Sequence, residues 1–176
     1  MPADRWPSQE RTGKRSEKRP GKKKDVHERA LGLLAVRQRS RKELERRLVQ
    51  AGFERDEVDA ELGRLEQVGL LDDEAFARAV VQSRMGSRAE SRRVVAGKLA
   101  QAGVDSEAAS QALDDALEDD ETRAFRLAEA KAARLRGADP AVAFRRLFGL
   151  LARRGYAPEL ARRAASSALA VEAVED

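Results

Sequence analysis

Three glycines, Gly52, Gly103 and Gly155, set the frame into which this chain can fold. Each is preceded by apolar residues eight and four positions earlier: Leu44 and Leu48, Val95 and Leu99, Leu147 and Leu151. Each is followed by a bulky apolar residue: Phe53, Val104 and Tyr156. The intervals of 51 and 52 residues define an internal repeat, present three times. Positions four and eight apart share one helical face. Glycine just past a last turn accepts the left-handed backbone that closes a helix. Each unit therefore reads as helix, glycine stop, apolar clasp, next helix.

Helix starts are marked between the glycines. Asp25 precedes Ala30, Leu31, Leu34 and Ala35. Ser40-Arg41-Lys42-Glu43 has the form of a capping box, and Asp139-Pro140 pairs a cap with proline at the first helical position. Val58, Leu62, Leu65 and Val68 form the inward face of a third helix that Gly69 closes. Gly69-Leu70-Leu71-Asp72-Asp73 leads into a helix with Phe76, Val80 and Val81 inside. Met85-Gly86-Ser87 reads as a break, and 118–121 as a charged joint that continues as helix. With 41% hydrophobic and 38% charged residues, and without an alternating β-branched run, the expectation is all-α. The predicted architecture is three tandem three-helix repeats in an elongated, curved arrangement. Its boundaries are a disordered basic arm over 1–24, repeats over 25–68, 69–118 and 119–171, and a frayed acidic end over 172–176.

Several chemistries have little to draw on. There is no cysteine and one histidine, His27, so thiolate metal sites, disulfides and nucleophile–histidine pairs are unsupported. No Gly-rich phosphate loop occurs. The acids Asp114, Asp115, Glu118, Asp119, Asp120 and Glu121 lack the glycine turn and ligand spacing of a calcium loop, and read as a solvated helix junction. Neither a catalytic residue nor a metal or other cofactor is expected. No apolar run reaches the ~20 residues of a membrane span, and no secretory signal follows the basic start. A monomeric cytoplasmic protein is the simplest reading.

What remains is positive charge. Residues 1–24 hold nine bases against three acids, a net of +6. The whole chain is +4, so residues 25–176 are net −2. Arg15, Lys18, Arg19, Lys22, Lys23 and Lys24 form either a nucleic-acid-collecting arm or a solubilising tail. Trp6, in the same arm, could stack on a base. In the repeats, a base stands ten residues before each glycine: Lys42, Arg93 and Arg145. It lies ~200° around the helix from the apolar position at minus eight, hence away from the core. Arg41, Arg46 and Arg47, Arg88, Arg92 and Lys98, and Arg146, Arg153 and Arg154 accompany these three. They read as a basic face for phosphates or an acidic protein surface, weighed against a merely solvated face.

The phrase Ser40-Arg41-Lys42-Glu43-Leu44 with Leu48 and Gly52, together with Gly69-Leu70-Leu71-Asp72-Asp73 and Phe76-Ala77, resembles the RecX family of bacterial RecA regulators. The likeness covers roughly residues 28–170; the third unit joins it only through its glycine pattern. It implies a non-enzymatic modulator, mainly an inhibitor, that binds the RecA filament on single-stranded DNA and in some cases DNA itself, single- or double-stranded. Val80 and Val81 depart from the family's more usual aromatic, and the arm is long and basic. Two rival readings stand beside this one: a general nucleic-acid-binding repeat protein without a RecA partner, and a metal-dependent hydrolase built on the acidic joint.

Overall fold

The computed structural model describes residues 25–175, with side chains to residue 170. The basic arm and Trp6 lie outside the described residues, so the expectations placed on them are not addressed by the fold. Nine α-helices and no strand occur among the described residues. The first unit holds α1 (Val26–Val36), α2 (Arg41–Gln50) and α3 (Arg55–Gln67). The second holds α4 (Asp73–Val81), α5 (Arg92–Ala102) and α6 (Ser106–Asp114). The third holds α7 (Asp120–Ala132), α8 (Pro140–Arg153) and α9 (Pro158–Glu175). Each unit has its own apolar core.

The repeat glycines do the same work three times. Gly52, Gly103 and Gly155 have φ of +93°, +76° and +89°. The residue after each glycine donates its N–H to the carbonyl five residues earlier: Phe53 to Leu48, Val104 to Leu99, Tyr156 to Leu151. Each glycine N–H goes to the carbonyl three back. This pair of bonds satisfies carbonyls left open at a helix end and folds the chain back. The residues at minus eight and minus four are all buried.

Capping follows the sequence closely. Asp25, Ser40, Asp72, Ser91, Asp105, Asp119 and Asp139 each accept a backbone N–H from the first turn of the helix they precede. The box at Ser40 is one-sided, because Glu43 pairs with Arg37 at 2.9 Å.

Three local expectations are corrected. Met85–Ser87 is not a break: Gln82–Ser87 forms a wider π turn, in which Arg88 N–H reaches the Ser83 carbonyl and Met85 stays 4% exposed in the core. The joint before α7 does not continue as helix. There α6 stops at Asp114, where Arg92 takes the Leu113 carbonyl at 2.7 Å, and Asp119 starts a new cap. Val68 is 62% exposed rather than inward; Leu71 fills the core instead, after a turn in which Leu70 and Leu71 both donate to the Leu65 carbonyl.

The units are joined in series through the N-termini of their second helices. Ser40 Oγ donates to the Ala102 carbonyl at the end of α5, and the Arg41 N–H donates to Asp73 Oδ1 at 2.8 Å. One repeat later, Ser91 Oγ donates to the Gly155 carbonyl at 2.9 Å, and the Arg92 N–H to Asp120 Oδ1 at 2.9 Å. The same serine thus caps its own helix and holds the next unit.

Candidate nucleic-acid interface

The basic residues singled out by the repeat divide into three groups. The first has structural tasks. Arg41 pairs with Asp59 at 2.5 Å and Glu66 at 3.3 Å, tying α2 to α3. Arg92 pairs with Asp114 at 2.6 Å and makes the equivalent tie from α5 to α6. Arg154 donates through Nη1 to the Arg88 carbonyl, and its own carbonyl accepts from Ser91 N–H. It belongs to the junction between units two and three.

Lys42 and Lys98 form the second group. Lys42 reaches Glu45 at 3.5 Å and Lys98 reaches Glu90 at 3.6 Å. Such surface pairs contribute little and leave an ammonium available. The Lys42 stem also lies over Gly103, where an added Cβ would sit 2.5 Å from Lys42 Cβ.

The third group is free. Arg46, Arg47, Arg88, Arg93, Arg145, Arg146 and Arg153 are all exposed and make no ion pair among the described residues. They are spread over all three second helices and the turn before α5. Arg145, Arg146, Arg153 and Val142 line a shallow cleft of about 380 Å³. Guanidinium groups without carboxylate partners are suited to phosphate oxygens, which they can hold through two parallel hydrogen bonds.

A larger cleft, about 520 Å³, lies elsewhere, between the π turn and the 115–118 joint. Its arginines are engaged: Arg78 with Glu74, Arg123 with Asp120, Arg126 with Glu118. Five of the six acids of the joint are likewise in use as caps and ion pairs, with Asp114 on Arg92, Glu118 on Arg126, Asp119 capping α7, Asp120 on Arg123 and Glu121 on Arg163; only the Asp115 carboxylate has neither role among the described residues. His27 Nδ1 lies 2.7 Å from Glu61 Oε1, and Glu61 is 2% exposed, so the histidine is held against the first unit's core.

Sequence reasoning missed the junction residues. Arg123, 2% exposed, bridges Asp120 at 2.8 Å and the Glu118 carbonyl. Tyr156 Oη donates to the Ala89 carbonyl at 2.9 Å, and burial pushes its pKa up to about 12. Burial also raises the Asp73 carboxyl, against the opposing pull of the Arg41 N–H. Arg39 is buried; desolvation, and then the charges of Arg37 and Arg47, lower its pKa, and Nε donates to the Leu33 carbonyl at 3.1 Å. The signal for the junctions was present: a Ser-Arg pair stands twelve and eleven residues before both Gly52 and Gly103.

Family comparison settles the lineage. The chain matches "RecX, first three-helix domain" over residues 27–65, "RecX, second three-helix domain" over 72–113 and "RecX, third three-helix domain" over 118–165. The chain belongs to the RecX family. RecX-family relatives named "Regulatory protein RecX" include one from Mycobacterium avium (strain 104), 40% identical over 157 residues, 87% of this chain and 90% of the relative. A second, from Amycolatopsis mediterranei (strain U-32), is 37% identical over 139 residues, 78% of this chain and 79% of the relative. The crystal structure of RecX from Lactobacillus salivarius has the same fold, with a TM-score of 0.64 at 21% identity over 81% of this chain and 94% of that one. The protein is thus a RecX-type regulatory protein of three three-helix domains. Among its described residues no helix is long and apolar enough to cross a membrane.

Proposed function

We propose that this protein is a non-enzymatic, cytoplasmic regulator of RecA. It binds the RecA filament on single-stranded DNA as a monomer and chiefly restrains it. The observation that carries this reading is that seven of the repeat's candidate bases are unpaired, exposed arginines distributed over three serial units of a RecX-family chain. Charge placed along a row of units can meet successive phosphates or acidic surfaces along a helical filament, where a compact domain would meet one. Arg41, Arg92 and Arg154 hold the row together; the free arginines, with Lys42 and Lys98, do the contacting.

The test is RecA ATP hydrolysis on single-stranded DNA, titrated with this protein well below one copy per RecA. A steep fall in hydrolysis is expected at ratios where bare DNA is scarcely bound. If hydrolysis falls only once the DNA is coated, the protein competes for DNA and has no filament role. The basic arm, through Arg15, Lys18, Arg19, Lys22, Lys23 and Lys24, should add DNA affinity at low salt. Deleting residues 1–24 without loss of that affinity would remove it from the account.

A further inference from the structure

The first two second helices end, at their N-termini, in a junction to the following unit; the third does not, and its sequence shows why. Counting back from the pivot glycine, the junction serine is at minus twelve: Ser40 and Ser91. The same position in the third unit is Ala143, which has no hydroxyl. The N–H at minus eleven, which in Arg41 and Arg92 meets the next unit's aspartate, belongs in the third unit to Phe144. Because α8 begins at Pro140, one turn earlier than its counterparts, that N–H lies within the helix. Both donors that would hold a fourth unit are therefore gone.

One residue just beyond, at minus ten in the first unit and minus nine in the second, also touches the next unit. Lys42 lies over Gly103, and Val94 lies so close to Gly155 that a Cβ there would overlap it. In the third unit these positions are Arg145 and Arg146, both exposed. Position minus two, Gln50 and Gln101 in the earlier units, is here Arg153. So the register that docks a neighbour in units one and two is, in unit three, a cleft of about 380 Å³ lined by three guanidiniums and Val142. None of the three makes an ion pair among the described residues. Gly149 lies between them along α8, with Arg153 Nη1 3.3 Å from where its Cβ would be, so that no side chain fills the cleft from that position.

We propose that this vacant junction face is a phosphate-binding site for the backbone of single-stranded nucleic acid. The proposal rests on the reading of the protein as a filament regulator and assigns its main DNA contact to one end of the row. Eight residues separate Arg145 from Arg153, about 12 Å along the helix, enough to address more than one phosphate. An acidic protein partner would be served by apolar anchors, and the lining offers only Val142.

The experiment compares the full chain with two charge-matched triples, R145Q/R146Q/R153Q and R29Q/R55Q/R134Q, binding a labelled single-stranded oligonucleotide across a salt series. Circular dichroism checks folding, and an R145K/R146K/R153K variant keeps the charge while removing the guanidinium fork. The cleft triple should bind at least about tenfold more weakly, with its log–log salt slope reduced by about 2, at about 0.7 per phosphate contact on a single strand. The lysine variant should keep the slope and lose part of the affinity. Equal losses in the two glutamine triples would overturn the assignment. So would an intact oligonucleotide affinity with lost binding to DNA-free RecA, which would make the cleft a protein contact. The hydrolysis titration run alongside separates the two ideas: an unaltered RecA rate with the unmutated chain sinks the regulator reading, whatever the oligonucleotide reports.

Discussion

Gly52 and Gly155 close the same turn with φ of +93° and +89°, yet one added methyl should affect them differently. At Gly52 nothing lies within 4 Å of the new Cβ, so Gly52→Ala pays only the left-handed backbone penalty of about 1–2 kcal/mol. At Gly155 the Cβ would overlap Val94 Cγ2 and stand 2.7 Å from Ser91 Oγ, at the junction itself. Gly155→Ala should therefore be the more destabilising in urea unfolding by a further ~1–3 kcal/mol; equal effects would mean that the junction contact is soft. Tyr156 gives a pH-dependent counterpart. Its folded pKa of about 12 lies above the ordinary value of 10.0, so its contribution is whole below pH 10 and is lost as pH rises through 12. Tyr156→Phe should lower stability by about 1 kcal/mol at pH 7, through the lost bond to Ala89. The gap to the unmutated chain should close above pH 10. A gap that persists unchanged to pH 12 would contradict the assignment.

Helix starts were legible because their causes are local: an Asp or Ser side chain reaching an N–H two or three residues on. The places that were not legible have causes in a neighbouring element. Where α6 ends depends on Arg92, some twenty residues earlier, reaching the Leu113 carbonyl. Gly86 suggested a break, but packing of Met85 keeps the chain helical through a wider turn. Among the candidate bases, the pattern gave exposure at minus ten correctly, while the pairing of Arg41 and Arg92 depends on acids of the third helices that periodicity cannot align. The paired role of the serines leads to a prediction at this scale. Ser91→Ala removes a cap and a bond between units at once, and should lower stability by about 1–3 kcal/mol. Hydrogen exchange should then rise at α5 and at the turn around Gly155 together. A rise confined to α5 would show that the contact between units is dispensable.

At the scale of the whole molecule, each unit has its own core and meets the next through a few hydrogen bonds at one helix end. The two junctions differ in strength. To the shared serine and aspartate bonds, the second adds Ser91 N–H to the Arg154 carbonyl, Arg154 to Arg88, and Tyr156 to Ala89. Units two and three should accordingly move as one body more than units one and two do. Paired spin labels across each junction should give a narrower distance distribution for the second. The three-unit plan and the glycine closures could be read directly from the repeat. The partner could not, since free arginines suit DNA phosphates and acidic protein alike, and the RecA assignment rests on family. The most direct measurement is therefore the affinity of the labelled protein for preformed RecA filaments on single-stranded DNA, set against bare single-stranded DNA in the same buffer. A filament regulator should bind the filament at least about tenfold more tightly. Equal or weaker binding to the filament would contradict that role and leave a nucleic-acid-binding protein without a RecA partner.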